Sequence, residues 1–168
     1  MSASYMDVLN NYFTCEFTTL SRDGSPMTWP VTPRLLEDGR FLATTSIGLP
    51  QKAFNIRRNP NVSMLFSEPT GSGVAQPGAV LIQGDAVAED RIVTDVSSDT
   101  DLAALMETLV IRQPAGALWS TWLGRRMWWS YYMRILIYVT PRRAWFWPTR
   151  DFASPPEELD MNEVRRVG

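Results

Sequence analysis

Between Phe13 and Glu89 apolar and polar residues alternate in short runs, and each run ends in a turn signal. In "FTCEFTTL", Phe13, Cys15 and Phe17 alternate with Thr14, Glu16 and Thr18. A period of two buries one face of an extended segment, so this run reads as a half-buried strand. Asp23-Gly24 marks the turn that follows. Met27 to Leu36 reads as a second strand, although Pro30 and Pro33 interrupt it. Proline donates no N–H to a ladder, so this strand must be an edge, bulged, or turned towards a ligand. "EDGR" turns the chain into a third strand, "RFLATTS". Three strands joined by short turns make an antiparallel meander.

The period then changes. Pro50 to Arg58 reads as a short helix, with proline at the first helical position and Asn59-Pro60 ending it. "NVSMLFS" is a fourth strand, and "AVLIQGDAVAED" a fifth with a bulge expected at Gly84. Leu102, Leu105, Met106 and Leu109 fall at helical spacing, with Asp99 or Ser98 as the cap and a helical continuation after Pro114. "YYMRILIYVT" is a sixth strand and "RRAWFWP" a further extended piece. Tyr5 to Tyr12 reads as a helix, and residues 149–168 as an irregular tail. The whole reads as one mainly β domain over 1–148, a small antiparallel barrel with a helical insertion near 99–128.

Composition removes many chemistries. The chain has 168 residues, no histidine and one cysteine, Cys15. A Ser-His-Asp or Cys-His nucleophile and a His-rich zinc site are therefore excluded. No side chain stands out as catalytic, and no carboxylate pair or metal cluster is expected. The net charge is −2, with arginines scattered rather than gathered into a basic stripe, so nucleic acid is not an expected partner. Apolar runs are too short to span a bilayer, and no secretory signal is apparent. A cytoplasmic protein without a membrane partner is the expectation.

Lys52 is the one lysine; the other fifteen basic residues are arginine. It lies in the first turn of the expected short helix, in "TTSIGLPQKAFNIRRNP". A lysine there opposes the helix dipole, and a bound dianion would reverse that sign. The helix start offers unpaired N–H groups, Thr44, Thr45 and Ser46 offer hydroxyls, and Gly48 lets the backbone bend close. Asn55 lies three residues on, on the same face. Two readings of Lys52 stand at this point: a phosphate anchor, or a solvated surface residue.

The segments "DGSPMTWPV", "DGRFLATTS", "QKAFNIRRNPNVSMLF" and "AVLIQGDAV" resemble, in order and spacing, the pyridoxamine 5'-phosphate oxidase-like split-barrel family of flavin- and deazaflavin-dependent oxidoreductases. The resemblance covers Phe13 to Glu89 and, more loosely, "RILIYVTPRRAWFWP". It implies a six-stranded antiparallel split β-barrel of Greek-key, FMN-binding type, paired as a homodimer with cofactor sites at the interface. Thr45, Ser46 and Lys52 would then hold the phosphate, with Thr44 and Asn55 beside them. The backbone of Pro30, Val31 and Thr32 would edge the ring, and Gln83 would reach the ring or its ribityl chain. The chain lacks the Arg-x-His substrate motif of the pyridoxamine-phosphate oxidases themselves, so vitamin B6 oxidation is not expected. FMN and the deazaflavin coenzyme F-420 both offer a phosphate and a tricyclic ring; the deazaflavin's longer anionic tail would need extra cations, for which Arg57 and Arg58 stand near. The substrate expected is an unidentified small molecule. A non-catalytic flavin- or haem-binding protein on the same barrel is the alternative; without histidine, a haem ligand would be Tyr, Cys or Met.

Trp119, Trp122, Trp128, Trp129, Trp145 and Trp147 crowd the last third. They read as an aromatic wall over a cofactor, as core and dimer-interface packing, or, in "LWSTWLGRRMWW", as an interfacial membrane helix with Arg125 and Arg126 on its polar side. Trp145 and Trp147, two apart on an extended segment, form the expected ring-side pair.

Overall fold

A computed structural model describes residues 4–95, 99–112 and 133–160, with the side chains of 107–112 left aside. Among the described residues there are three helices, α1 (Tyr5–Asn11), α2 (Gln51–Arg58) and α3 (Thr100–Arg112). The strands are β1 (Cys15–Leu20), β2 (Pro26–Val31), β3 (Arg34–Leu35), β4 (Phe41–Ser46), β5 (Asn61–Phe66), β6 (Ala79–Val93), β7 (Arg134–Trp147) and β8 (Glu157–Leu159). All pairings are antiparallel, in the order β2-β1-β5-β6-β7-β4-β3, with β8 added to β7.

That order makes a barrel almost unavoidable. β2 and β3 end opposite sides of the sheet, yet only Thr32 and Pro33 separate them in the chain. The sheet must roll until its two ends meet, and the seam between them is the split in the barrel. The expected second strand, Met27 to Leu36, is thus two strands with the bend at Thr32-Pro33. β2 pairs only with β1 among the described residues, so Pro30 lies on an edge, as a proline in a strand must.

The alternation in β1 buries Cys15, Phe17 and Thr19. Gly24, at φ 84°, takes the left-handed position of the turn into β2. The expected bulge at Gly84 is present: the β6–β7 register shifts between Gln83 and Gly84. A Cβ at Gly84 would lie 2.5 Å from the Thr140 carbonyl oxygen, so only glycine fits there. Pro141 stands opposite Gly84, so the irregularity lets β7 continue through a proline. "RILIYVT" and "RRAWFW" are therefore one long strand. The tail is not wholly irregular: β8 pairs Ala144, Trp145 and Phe146 with Leu159, Glu158 and Glu157, because its backbone finds the free edge of β7.

The sheet has two cores. The larger fills the barrel with Phe17, Phe41, Met64, Phe66, Ile82 and Ile137, among others. The smaller lies on the outer face of β4 and β7, where Leu102, Leu105 and Met106 of α3 cover Leu42 and Leu136. Asp99 caps α3, its carboxylate accepting from the Leu102 N–H at 3.0 Å. Ser98 and the expected continuation after Pro114, with Trp119, Trp122, Arg125, Arg126, Trp128 and Trp129, lie outside the described residues.

Candidate functional site

The site is built where β4 gives way to α2. The Thr45 hydroxyl donates to the Leu49 carbonyl at 2.7 Å, and the Leu49 N–H donates to the Ser46 carbonyl at 3.0 Å. These bonds fold the connecting loop back on the strand it leaves. Pro50 stands at the N-cap and supplies no side-chain bond to the helix start. The N–H groups of the first turn of α2 are therefore available to an outside acceptor.

Lys52 sits over this junction. Its Nζ lies 5.3 Å from the centre of the Trp29 ring, on β2. Burial, and then the nearby Arg134 guanidinium, hold its pKa below the usual lysine value. Arg134 opens β7, stands opposite Ser46 in the ladder and is 6% exposed. Lys52 is thus half-buried between Trp29 at the barrel seam and the end of the β4–β7 ladder, where Ser46 stands opposite Arg134. Lys52 makes no ion pair among the described residues.

Alternation along β4 divides its hydroxyls. Residues opposite one another share a face, so Ser46 goes with Arg134 and Thr44 with Leu136 on the outer face. Thr45 pairs with Ile135 and is buried on the inner face. Asn55 is also a brace: it is 0% exposed, its Nδ2 donates to Thr19 Oγ1 at 2.8 Å, and its Oδ1 accepts from Gln51 and Arg58. The helical neighbour expected to stand with Lys52 instead ties α2 to β1. Arg57 is engaged elsewhere, by the Glu89 carbonyl at 2.6 Å and Asp90 at 3.3 Å.

Pro30, Val31 and Thr32 end β2 at the seam, next to Trp29. Gln83, Trp145 and Trp147 lie elsewhere in the single chain. Trp145 is eleven residues beyond Arg134 on β7, roughly 35 Å at the rise of an extended strand. Trp145 and Trp147 do share the outer face, alternating with buried Ala144 and Phe146. Arg143 covers the Trp145 ring at 4.7 Å, and Trp147 donates to the Ser154 carbonyl at 3.1 Å. Gln83 is exposed beside the bulge. The site residues that sequence reasoning missed are Trp29 and Arg134. Arg134 had a signal: a charge in the opening position of an apolar strand, on the same face as Leu136.

A groove of ≈ 730 Å³ runs beside α2, lined by Arg22, Asp23, Met27, Gln51 and Arg58 among others. The donor set of the junction, Lys52 with hydroxyls and an open helix start, fits a phosphate. It does not fit a metal ion, and no cluster of three His, Cys, Asp or Glu occurs among the described residues. No described helix is long and apolar enough to cross a membrane.

No family model and no curated protein sequence matches the chain. Solved structures share its fold. A protein from Clostridium acetobutylicum, related to general stress protein 26 of B. subtilis and of the pyridoxinephosphate oxidase family, is 11% identical with a TM-score of 0.57, over 95% of this chain and 94% of that one. An F420 reductase is 20% identical with a TM-score of 0.56, over 86% and 98%. A heme binding protein from Mycobacterium smegmatis is 14% identical with a TM-score of 0.59; the match covers 98% of this chain and 61% of that longer one. The chain has the mainly β, split-barrel fold of pyridoxine phosphate oxidase-like proteins.

Proposed function

We propose that this protein is an FMN-dependent oxidoreductase that works as a cytoplasmic homodimer on a small-molecule substrate. The observation that carries the reading is the place of Lys52, half-buried at the β4–α2 junction with its Nζ 5.3 Å from the centre of the Trp29 ring at the barrel seam and no ion pair among the described residues. Lys52, Ser46, Thr44 and the first N–H groups of α2 hold the phosphate. β2 pairs on one side only among the described residues, so half of its backbone N–H and C=O groups face the seam. Around Pro30, Val31 and Thr32 they orient the polar edge of the ring. Thr45 and Asn55 hold the loop and helix in place behind the contact. When bound, the flavin supplies the hydride chemistry. With no histidine in the chain, the protein's own part is anchoring, orientation and exclusion of water.

Gln83, Trp145 and Trp147 enter this reading through the second protomer. They stand far from Lys52 in one chain, and their partly exposed outer face suits a ring or substrate held between two copies. Flavin titration of the native protein, with its mass measured in the same buffer, tests the proposal. One FMN bound per chain of a dimer, reducible by a nicotinamide donor, is expected; a dimer that binds neither FMN nor the deazaflavin refutes it.

The groove favours one alternative within the same class. The groove runs from Gln51 at the start of α2 to Arg58 at its end, with Arg22 also lining it, and the deazaflavin's anionic tail would run there. The likeness to a heme binding protein motivates the non-catalytic reading. Burial holds the Cys15 thiol's pKa well above its usual value, with Glu16 adding to the effect, which removes Cys15 as a thiolate ligand to haem. A Soret band in the purified protein would support haem, and a flavin spectrum the main reading.

A further inference from the structure

We propose that the groove between α2 and the β1–β2 turn binds the 2'-phosphate of a nicotinamide dinucleotide, so that the reductant of the bound flavin is NADPH rather than NADH. This rests on the flavin reading above and adds the electron donor to it.

One face of β2 sets the order of the parts. Met27, Trp29 and Val31 alternate with exposed residues and share that face. Val31 ends the strand at the seam, where the ring edge is assigned. Two residues back, the Lys52 Nζ lies 5.3 Å from the centre of the Trp29 ring. Two residues further back, Met27 lines the groove, and its sulfur accepts from Asn55 Nδ2 at 3.7 Å. Ring edge, phosphate anchor and groove thus follow one another along one strand. Met27 and Val31 stand about 13 Å apart at the rise of an extended strand. FMN, with its ribityl chain and single phosphate, ends at the middle position. A nicotinamide dinucleotide is longer, with two riboses and a pyrophosphate between its bases. With the nicotinamide at the ring, its adenosine end reaches the groove.

The groove offers mainly cationic donors. Arg22, on the β1–β2 turn, makes no ion pair among the described residues, and neither does Arg58. Arg58 donates to Asn55 Oδ1 at 2.5 Å, and Gln51 Nε2 donates to the same oxygen at 2.9 Å. Asn55 is buried and tied to Thr19, so one amide holds the groove side chains at both ends of α2. The Asp23 carboxylate is taken up within the turn, where it accepts from the Ser21 hydroxyl and the Ser25 N–H. Two guanidinium groups against one engaged carboxylate leave the groove cationic. A 2'-phosphate is a monoester with close to two negative charges at neutral pH. Planar guanidinium donors fit it in pairs, and arginine accommodates this phosphate in dinucleotide sites. NADH carries a neutral hydroxyl at the same position and gains neither contact. The volume, ≈ 730 Å³, is that of a small-ligand site.

The first test uses the full-length protein without flavin. 2',5'-ADP, the adenosine end of NADPH, and 5'-AMP, that of NADH, are titrated by calorimetry. 2',5'-ADP should bind about 10- to 150-fold more tightly. Arg22→Gln should narrow that gap to a few-fold, chiefly by weakening 2',5'-ADP, and Arg22→Lys should restore part of it. Equal affinities in the wild type, or an equal loss for both ligands in Arg22→Gln, would overturn the inference. Tighter binding of γ-glutamyl-glutamate than of 2',5'-ADP would also overturn it and give the groove to a carboxylate tail.

A second measurement needs no variant. In the FMN-loaded protein the C4–H bond of the dihydronicotinamide breaks, and a hydride carries two electrons to the flavin. The reductant leaves as the oxidised nicotinamide cation, and the reduced flavin takes one further proton from water. The 2'-phosphate binds away from the reacting atoms, so NADPH should show a KM well below that of NADH at similar kcat. Reduction with equal KM values, or by neither donor, would overturn the inference and leave flavin binding standing. A protein that binds no flavin removes both.

Discussion

The two faces of the β4–β7 ladder run through the same residues in alternation and do different work. On the inner face Phe41, Ala43 and Thr45 meet Val139, Ile137 and Ile135, and all six are buried. On the outer face Leu42 and Thr44 meet Tyr138 and Leu136 beneath α3, and the series ends in Ser46 opposite Arg134. The inner face is apolar nearly throughout and closes the barrel. The outer face begins apolar and turns polar and cationic where the strands end. By parity the inner face of this ladder serves stability alone, while the outer face carries the second core at Leu42 and Leu136 and turns to binding only at its end, at Ser46.

The largest effect should come from the inner face. Ile137→Ala removes a fully buried side chain and should lower the unfolding free energy by about 2–5 kcal/mol, with little change in flavin affinity of the folded fraction. Denaturant unfolding and titration of the same sample check this; a binding defect larger than the stability defect would break the comparison. Next is Lys52→Ala, which removes a charge-assisted contact worth about 1.5–3 kcal/mol and should weaken FMN roughly 10- to 150-fold. Its denaturant midpoint should stay where it is or rise, since a desolvated cation repelled by Arg134 is gone.

The neighbours Thr45 and Ser46 sharpen the division further. Thr45→Val keeps the shape but removes the donor to the Leu49 carbonyl, and should cost about 0.5–1.5 kcal/mol of stability. Ser46→Ala should register mainly as weaker FMN binding, and the reverse pattern would argue against the parity rule. The smallest effect is in the pH dependence of stability. In the unfolded chain Lys52 keeps its proton up to the usual lysine pKa, whereas in the folded protein it gives it up at lower pH. Unfolded molecules therefore bind more protons in that window, and stability rises with pH there. Wild type minus Lys52→Met, compared by denaturant midpoints from about pH 8 to 10.5, should show that rise, and saturating FMN should abolish it by favouring the ammonium.

The strands and the helix start were legible because they are local. Alternation in "FTCEFTTL" marks β1, the Gly84 bulge follows from a glycine inside a strand, and Asp99 caps α3 as its position suggests. The seam was half legible: Pro30 and Pro33 announced an irregular strand, but that its halves end opposite sides of one sheet depends on pairings distant in sequence. Arg134 was hidden for the same reason, since its partner Ser46 lies 88 positions away and only the register joins them. Asn55 misled because helical spacing placed it with Lys52. Its short amide turns inward to Thr19, whereas the long lysine stem reaches Trp29 on another strand.

The preference for FMN over riboflavin, measured in wild type and in Lys52→Ala, tests the central claim most directly, because the two ligands differ only in the phosphate. A phosphate held at the β4–α2 junction predicts a wild-type preference of about 10- to 150-fold that shrinks to a few-fold in the variant. The same ratio in both proteins would place the phosphate somewhere other than beside Lys52.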